Sequence, residues 1–192
     1  MRIEKDFLGE KKLSDTALYG IHALRAKENF PDQTPFHKEW YKAIGIVKLA
    51  CYQTYRKFKE AVSYKYPSSK DELKLLSDED IQVLIKSAEE ISKGKFYEYV
   101  IVPAIQGGAG TSINMNVNEI IANRSLLELE EPLGKYGRID PFEHANVFQS
   151  TNDVIPTALR VAAMKLLEEL EESINEMRKN IEQLEQSHRN DL

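Results

Sequence analysis

The chain has 192 residues, 30% of them charged, and a formal net charge of −5. No Lys/Arg block marks a nucleic-acid surface, no apolar run approaches the ~18 residues of a membrane span, and Met1-Arg2-Ile3-Glu4-Lys5-Asp6 lacks an apolar signal core. Cys51 is the only cysteine, which excludes an intrachain disulfide and a zinc site built on several thiolates, so a reduced cytoplasmic protein is expected, without nucleic-acid or membrane partners.

Residues 1–36 read as an extended, loop-rich entry punctuated by Gly9, Gly20, Pro31 and Pro35. From His37 to Ala61 the pattern turns helical, with Trp40, Ala43, Ile44, Val47, Ala50, Cys51, Thr54 and Phe58 near one face. The stretch Ser63 to Ser69, with Pro67, is expected to break it. A second helix starts at Ser77, with Asp80 placed as in a capping box; Ile81, Leu84, Ile85, Ala88 and Ile91 form its stripe and Gly94 ends it. Tyr99 to Ile105 is β-rich by propensity, though Pro103 argues against a central strand. After a Gly-rich turn at 107–110, a third helix is predicted from Ser112 or Ile113 to Glu128, and Glu131-Pro132, Gly134 and Gly137 make a loop.

Pro156 suits the first turn of a last helix that runs without Gly or Pro to about His188, roughly 45 Å at ~1.5 Å per residue. Ala163, Leu167, Leu170, Ile174, Met177, Ile181 and Leu184 form a heptad-like stripe amid charged faces, a pattern that asks for partner helices. No solenoid repeat or low-complexity segment occurs. The fold class is therefore mainly α, with little sheet.

Two polar clusters stand at helix starts. In Gln106-Gly107-Gly108-Ala109-Gly110-Thr111-Ser112, the glycines let backbone approach a ligand closely. The helix start adds unpaired N–H groups, which favour a carboxylate or phosphate. A nucleotide P-loop lacks its lysine, and G-x-G-x-x-G is absent. A Gly-rich turn with a helix cap explains the residues equally well. In the second cluster, Gln149-Ser150-Thr151-Asn152-Asp153, a cap is by itself the simpler reading. Two such donor-rich starts in one chain shift the balance towards a ligand. Asn114, Asn116, Asn118 and Asn123 cannot all share one helix face, so some are expected to tie helices together. His22, His37, His144 and His188 are scattered and none has metal-motif spacing; His144 reads as structural, and Tyr41, Tyr52, Tyr55, Tyr64 and Tyr66 as packing or loop residues.

Several motifs in order resemble the N-terminal part of the aspartase/fumarase superfamily, in its aspartase form. They are Arg2-Ile3-Glu4-Lys5-Asp6-Phe7-Leu8-Gly9, Tyr19-Gly20-Ile21-His22 with Leu24-Arg25-Ala26-Lys27-Glu28-Asn29-Phe30, Gln106 to Glu119, and Asn146 with Gln149 to Asp153 and Pro156-Thr157. The resemblance implies an N-terminal helical domain over 1–150 and the start of a central helical bundle over 151–192. It implies reversible elimination of ammonia from L-aspartate to give fumarate, through an enediolate-like dianion, with no cofactor and no metal. Thr111, Ser150 and Thr151 match the family's residues at the reacting carboxylate, and Asn152 matches the asparagine holding the amino or α-carboxylate end. The partners implied are a small dicarboxylate and further copies of the chain, since family sites assemble from three subunits of a homotetramer.

The chain departs from the family pattern in three places. Asp140-Pro141-Phe142-Glu143-His144 replaces the usual stretch, which puts an accessory anion site there in doubt, and Val62 to Leu76 reads as a short insertion. Family chains run more than twice as far, and their serine base, lysine and asparagine would lie beyond Leu192. The chain alone is therefore expected to show no aspartase activity. A fumarase-like dicarboxylate lyase and a non-catalytic helical assembly module remain the alternatives.

Overall fold

The computed structural model describes residues 1–32, 34–66, 73, 75–106 and 108–191. The order is a hairpin of β1 (Arg2–Asp6) and β2 (Gly9–Leu13), then α1 (Ile21–Asn29), α2 (Lys38–Lys65), α3 (Asp78–Ser92), a 3₁₀ turn (Tyr97–Tyr99), α4 (Thr111–Glu128) and α5 (Thr151–Ser187). The chain is mainly helical, and the antiparallel β1–β2 pair is the one sheet among the described residues.

The entry segment is more ordered than the expected loop. Its strands carry charges on both faces, which hides the period-2 signal. Tertiary bonds hold it instead: the Arg2 guanidinium donates to the carbonyls of Ser14, Ala17 and Tyr19 at 2.7–2.8 Å. Helix α1 buries only Ile21, Ala23 and Ala26, too little periodicity to read.

The break expected over Ser63 to Ser69 does not begin at Ser63, because α2 continues to Lys65; Pro67 lies outside the described residues. Helix α3 starts as expected: Ser77 Oγ accepts from the Asp80 amide at 3.0 Å. The β-rich run at Tyr99–Ile105 forms no strand. The Asn116 carboxamide takes the Tyr99 carbonyl and the Ile101 amide, the groups a neighbouring strand would use. Only an isolated bridge, Pro35 to Pro103, remains.

Helix α4 is central and buried on all sides, which is why its apolar residues show no amphipathic pattern. Asn114, Asn116, Asn118, Glu119, Asn123 and Ser125 are buried along with Val117, Ile120 and Ile121. Its polar groups tie flanking loops to the helix: Asn123 donates to the Leu18 carbonyl at 2.9 Å and to Tyr136 Oη, and accepts from the Gly134 amide.

Helix α5 is longer than expected, 37 residues or about 55 Å at ~1.5 Å per residue. It begins at Thr151, so Pro156 falls in the second turn and cannot donate to the Asn152 carbonyl. Val154, Ile155, Ala158 and Ala162 join the core. The stripe beyond them is exposed, with Leu170 at 52% and Ile174 at 50%, so among the described residues none covers it.

Candidate functional site

Helices α4 and α5 start side by side. Gly110 is the N-cap of α4, with φ +83° and no side-chain cap bond. A Cβ there would lie 2.9 Å from Ile155 Cγ2 on α5, so a glycine is needed both for the backbone and for the approach. Because Gly110 holds the cap position, neither Thr111 nor Ser112 is used as a cap. Both line a depression of about 530 Å³ with His22, Arg25, Asn29 and Met115.

In the second cluster Ser150 is the N-cap of α5, and its Oγ accepts from the Asn152 amide at 3.2 Å. Thr151 Oγ1 likewise accepts, from Asn114 Nδ2 at 3.0 Å. An oxygen that accepts from behind leaves its own hydrogen to donate forwards. Cap and ligand readings are therefore compatible: Ser150 uses a lone pair for the helix and keeps its proton. The positive end of a 37-residue helix lies at the same place.

Not all four predicted residues meet. Thr151 is half-buried and tied to α4, whereas Thr111, Ser150 and Asn152 are exposed. Asn152 lines a separate depression of about 480 Å³ with Trp40, Gln106, Gly108, Gly110 and Pro156. Among the described residues no hydrogen bond joins Thr111 to Ser150, Thr151 or Asn152. A third hollow, about 510 Å³, is lined by residues such as Cys51, Tyr55, Phe58 and Phe148. It has no charged or amide side chain and is unsuited to a dicarboxylate.

Three buried groups that the sequence did not single out support the site. Lys48 is fully buried and donates to Gln149 Oε1 at 2.9 Å. Burial pushes its pKa down to about 7. Glu119, also fully buried, accepts from the amides of Gly20, His22 and Ala23 and caps α1 from outside. Its bond to His22 Nδ1, 3.2 Å, outweighs burial and raises the histidine's pKa. Glu4 accepts from the Ile21 amide at 2.9 Å beside it. The signal in the sequence was a charged residue inside an apolar helical stripe, as at Lys48, one turn from Ile44 and from Tyr52.

The loop at Asp140–His144 closes on itself: Asp140 Oδ1 accepts from the Phe142 and Glu143 amides, and His144 Nδ1 from the Asp140 amide at 2.9 Å. His144 is thus structurally engaged. No cluster of three His, Cys, Asp or Glu with metal-binding geometry occurs among the described residues, and no helix there is long and apolar enough to cross a membrane.

A family model described as "Lyase" matches residues 14–191, and the chain belongs to that family, the aspartase/fumarase superfamily. It is similar to the aspartate ammonia-lyase of a Bacillus species, 44% identical over 178 residues, covering 92% of this chain and 35% of that protein. The aspartate ammonia-lyase of Bacillus subtilis is 41% identical over 177 residues, with 34% of it covered. The chain thus spans about a third of the length of these relatives. Among solved structures, a fumarate lyase:delta crystallin from Brucella melitensis superposes with a TM-score of 0.70 at 37% identity, covering 85% of this chain and 34% of that one. A class II fumarase from Schistosoma mansoni shares the fold, with a TM-score of 0.66 at 23% identity, covering 84% of this chain and 31% of that one.

Proposed function

We propose that the chain supplies a substrate-binding wall of an aspartate ammonia-lyase, which converts L-aspartate to fumarate and ammonia. The observation that carries this reading is the inward use of both hydroxyl oxygens, Ser150 by a helix amide and Thr151 by Asn114, which turns two O–H donors outward at the start of α5. The names of the relatives support aspartate as the substrate.

In the proposed reaction a base takes a proton from the carbon next to the β-carboxylate. The electron pair collects on that carboxylate as a dianion, then forms the double bond as the C–N bond breaks and ammonia leaves. Ser150, Thr151 and Thr111 donate to the carboxylate oxygens, and Asn152 holds the amino or α-carboxylate end. Neutral donors tighten as charge develops without over-binding the ground state. The base is not among the residues assigned here, so catalysis needs protein beyond this wall. We place 1–150 in a substrate-loop domain, 151–192 in a helical bundle, and the exposed stripe of α5 against other copies of the chain.

The test joins this chain to the remaining two-thirds of the Bacillus subtilis relative and follows fumarate formation. Thr151→Ala should lower turnover about 10²–10³-fold, the usual effect of one oxyanion donor, and Asn152→Ala, which loses a grip on the amino or α-carboxylate end, should raise KM. Unchanged turnover at normal stability refutes the reading and favours a purely architectural role. A preference for malate over aspartate transfers the site to a fumarase-like reaction. Fumarate produced by the 192-residue chain alone would overturn the need for an outside base.

A further inference from the structure

Part-buried hydrogen bonds at the α4–α5 junction take their direction from two main-chain carbonyls, those of Ala145 and Gln149, which can only accept. The Lys48 amine faces Gln149 Oε1 at 2.9 Å and acts there as the donor. That turns Gln149 Nε2 to the Ala145 carbonyl, which also receives Tyr52 Oη. The Gln149 main-chain carbonyl can only accept, and it takes Asn146 Nδ2 at 3.0 Å. Asn146 Oδ1 must then point at α4, where it accepts from Asn114 Nδ2 at 3.0 Å. The same Asn114 nitrogen lies 3.0 Å from Thr151 Oγ1.

Asn114 therefore spends both amide hydrogens, one on Asn146 and one on Thr151. Rotating its carboxamide by half a turn would set two carbonyl oxygens against each other. The orientation is kept although Asn114 Oδ1 is left buried without a protein donor, a loss of the kind that usually selects the other rotamer. Among the described residues the Thr151 hydroxyl hydrogen has no acceptor.

We propose that Asn114 is a positioning residue that locks the Thr151 side chain and makes its hydroxyl an outward donor to a carboxylate, with Asn146 and the Gln149 main-chain carbonyl holding Asn114 in that orientation. The proposal rests on the reading of Thr151 as a dicarboxylate ligand. It assigns to a residue without ligand contact the aim of one that makes it.

Two measurements on the purified chain test it. Three-bond couplings to Thr151 Cγ2 report its χ1 rotamer without any ligand, and a fumarate titration followed by NMR reports affinity. Wild type should show one χ1 rotamer, and Asn114→Ser should show averaging. Asn118→Ser, which also loses a bond to Asn146 Oδ1 but none to Thr151, should leave that rotamer fixed and so controls for general loosening of α4. Asn114→Ser and Thr151→Val should each weaken fumarate binding about tenfold, and the double variant should be no weaker than Thr151→Val alone. A fixed Thr151 rotamer in Asn114→Ser, equal averaging in Asn118→Ser, or losses that multiply in the double variant each overturn the proposal. Should Asn114→Ser not fold, Asn114→Asp in wild-type and Thr151→Val backgrounds runs the same cycle, because a charge effect persists in the valine background and an aiming effect does not. Wild-type affinity unchanged by Thr151→Val counts against the ligand reading, while the rotamer result still decides the role of Asn114.

Discussion

Lys48 gives the sharpest stability prediction. It sits in the core of α2 with no exposed surface and one side-chain partner, Gln149. Its other close titratable neighbours are Cys51 and Tyr52, whose pKa values burial pushes up, so no anion near neutral pH offsets its charge. The fall of its pKa from 10.5 to about 7 corresponds to roughly 5 kcal/mol at about 1.4 kcal/mol per unit. Lys48→Met keeps the chain length and removes that penalty, but leaves Gln149 Oε1 without its donor at about 1–3 kcal/mol. The variant should therefore be about 2–4 kcal/mol more stable than wild type at pH 7. The direction with pH follows from proton counting. Below about 7 the lysine is charged in both states and the penalty is full; above 10.5 it is neutral in both and the penalty is gone. In between, the unfolded chain binds more protons, so wild-type stability climbs by about 1.4 kcal/mol per pH unit. Urea unfolding of both proteins across that window measures the gap, which should close as pH rises. A constant gap, or a methionine variant less stable at pH 7, refutes a buried lysine that folds at the expense of its charge.

Gly20→Ala would bring a Cβ within 2.6 Å of both Glu119 Oε1 and Tyr136 Oη; a loss of about 1–3 kcal/mol is expected in thermal unfolding, and an unchanged midpoint contradicts the external cap. The pKa of His22 is raised by Glu119. Its contribution to stability should be full below its ordinary 6.5 and disappear as pH rises through the higher folded value; His22→Gln should remove that dependence, and an NMR titration of the ring below 6.5 would contradict it. The exposed stripe of α5 should drive association of the chain in sedimentation, weakened by Leu170→Lys and Ile174→Lys, whereas a monodisperse wild-type monomer argues against it.

Strong local signals were readable directly. The Ser77 cap and the α3 stripe depend on neighbours in sequence and are where their patterns put them, and α5 differs from its pattern mainly in starting earlier, at Thr151. The entry hairpin and α1 were missed because contacts as distant as Glu119 to Gly20 hold them, and no window of sequence contains both partners. The β-rich run at Tyr99–Ile105, where Pro103 argued against a central strand, has its main-chain groups taken by one side chain, Asn116, arriving from α4.

The same division runs through the site. Residue types alone determined that this chain carries two donor-rich helix starts, a mainly helical fold and an apolar stripe on its last helix, because composition, capping chemistry and periodicity are properties of short stretches. Tertiary structure alone decided which group donates to the Thr151 hydroxyl oxygen. Ser150 Oγ is occupied by its own helix, but Thr151 Oγ1 is occupied by Asn114, thirty-seven positions earlier. The direction of a hydrogen bond is set by the neighbour behind it, and only folding brings that neighbour into place.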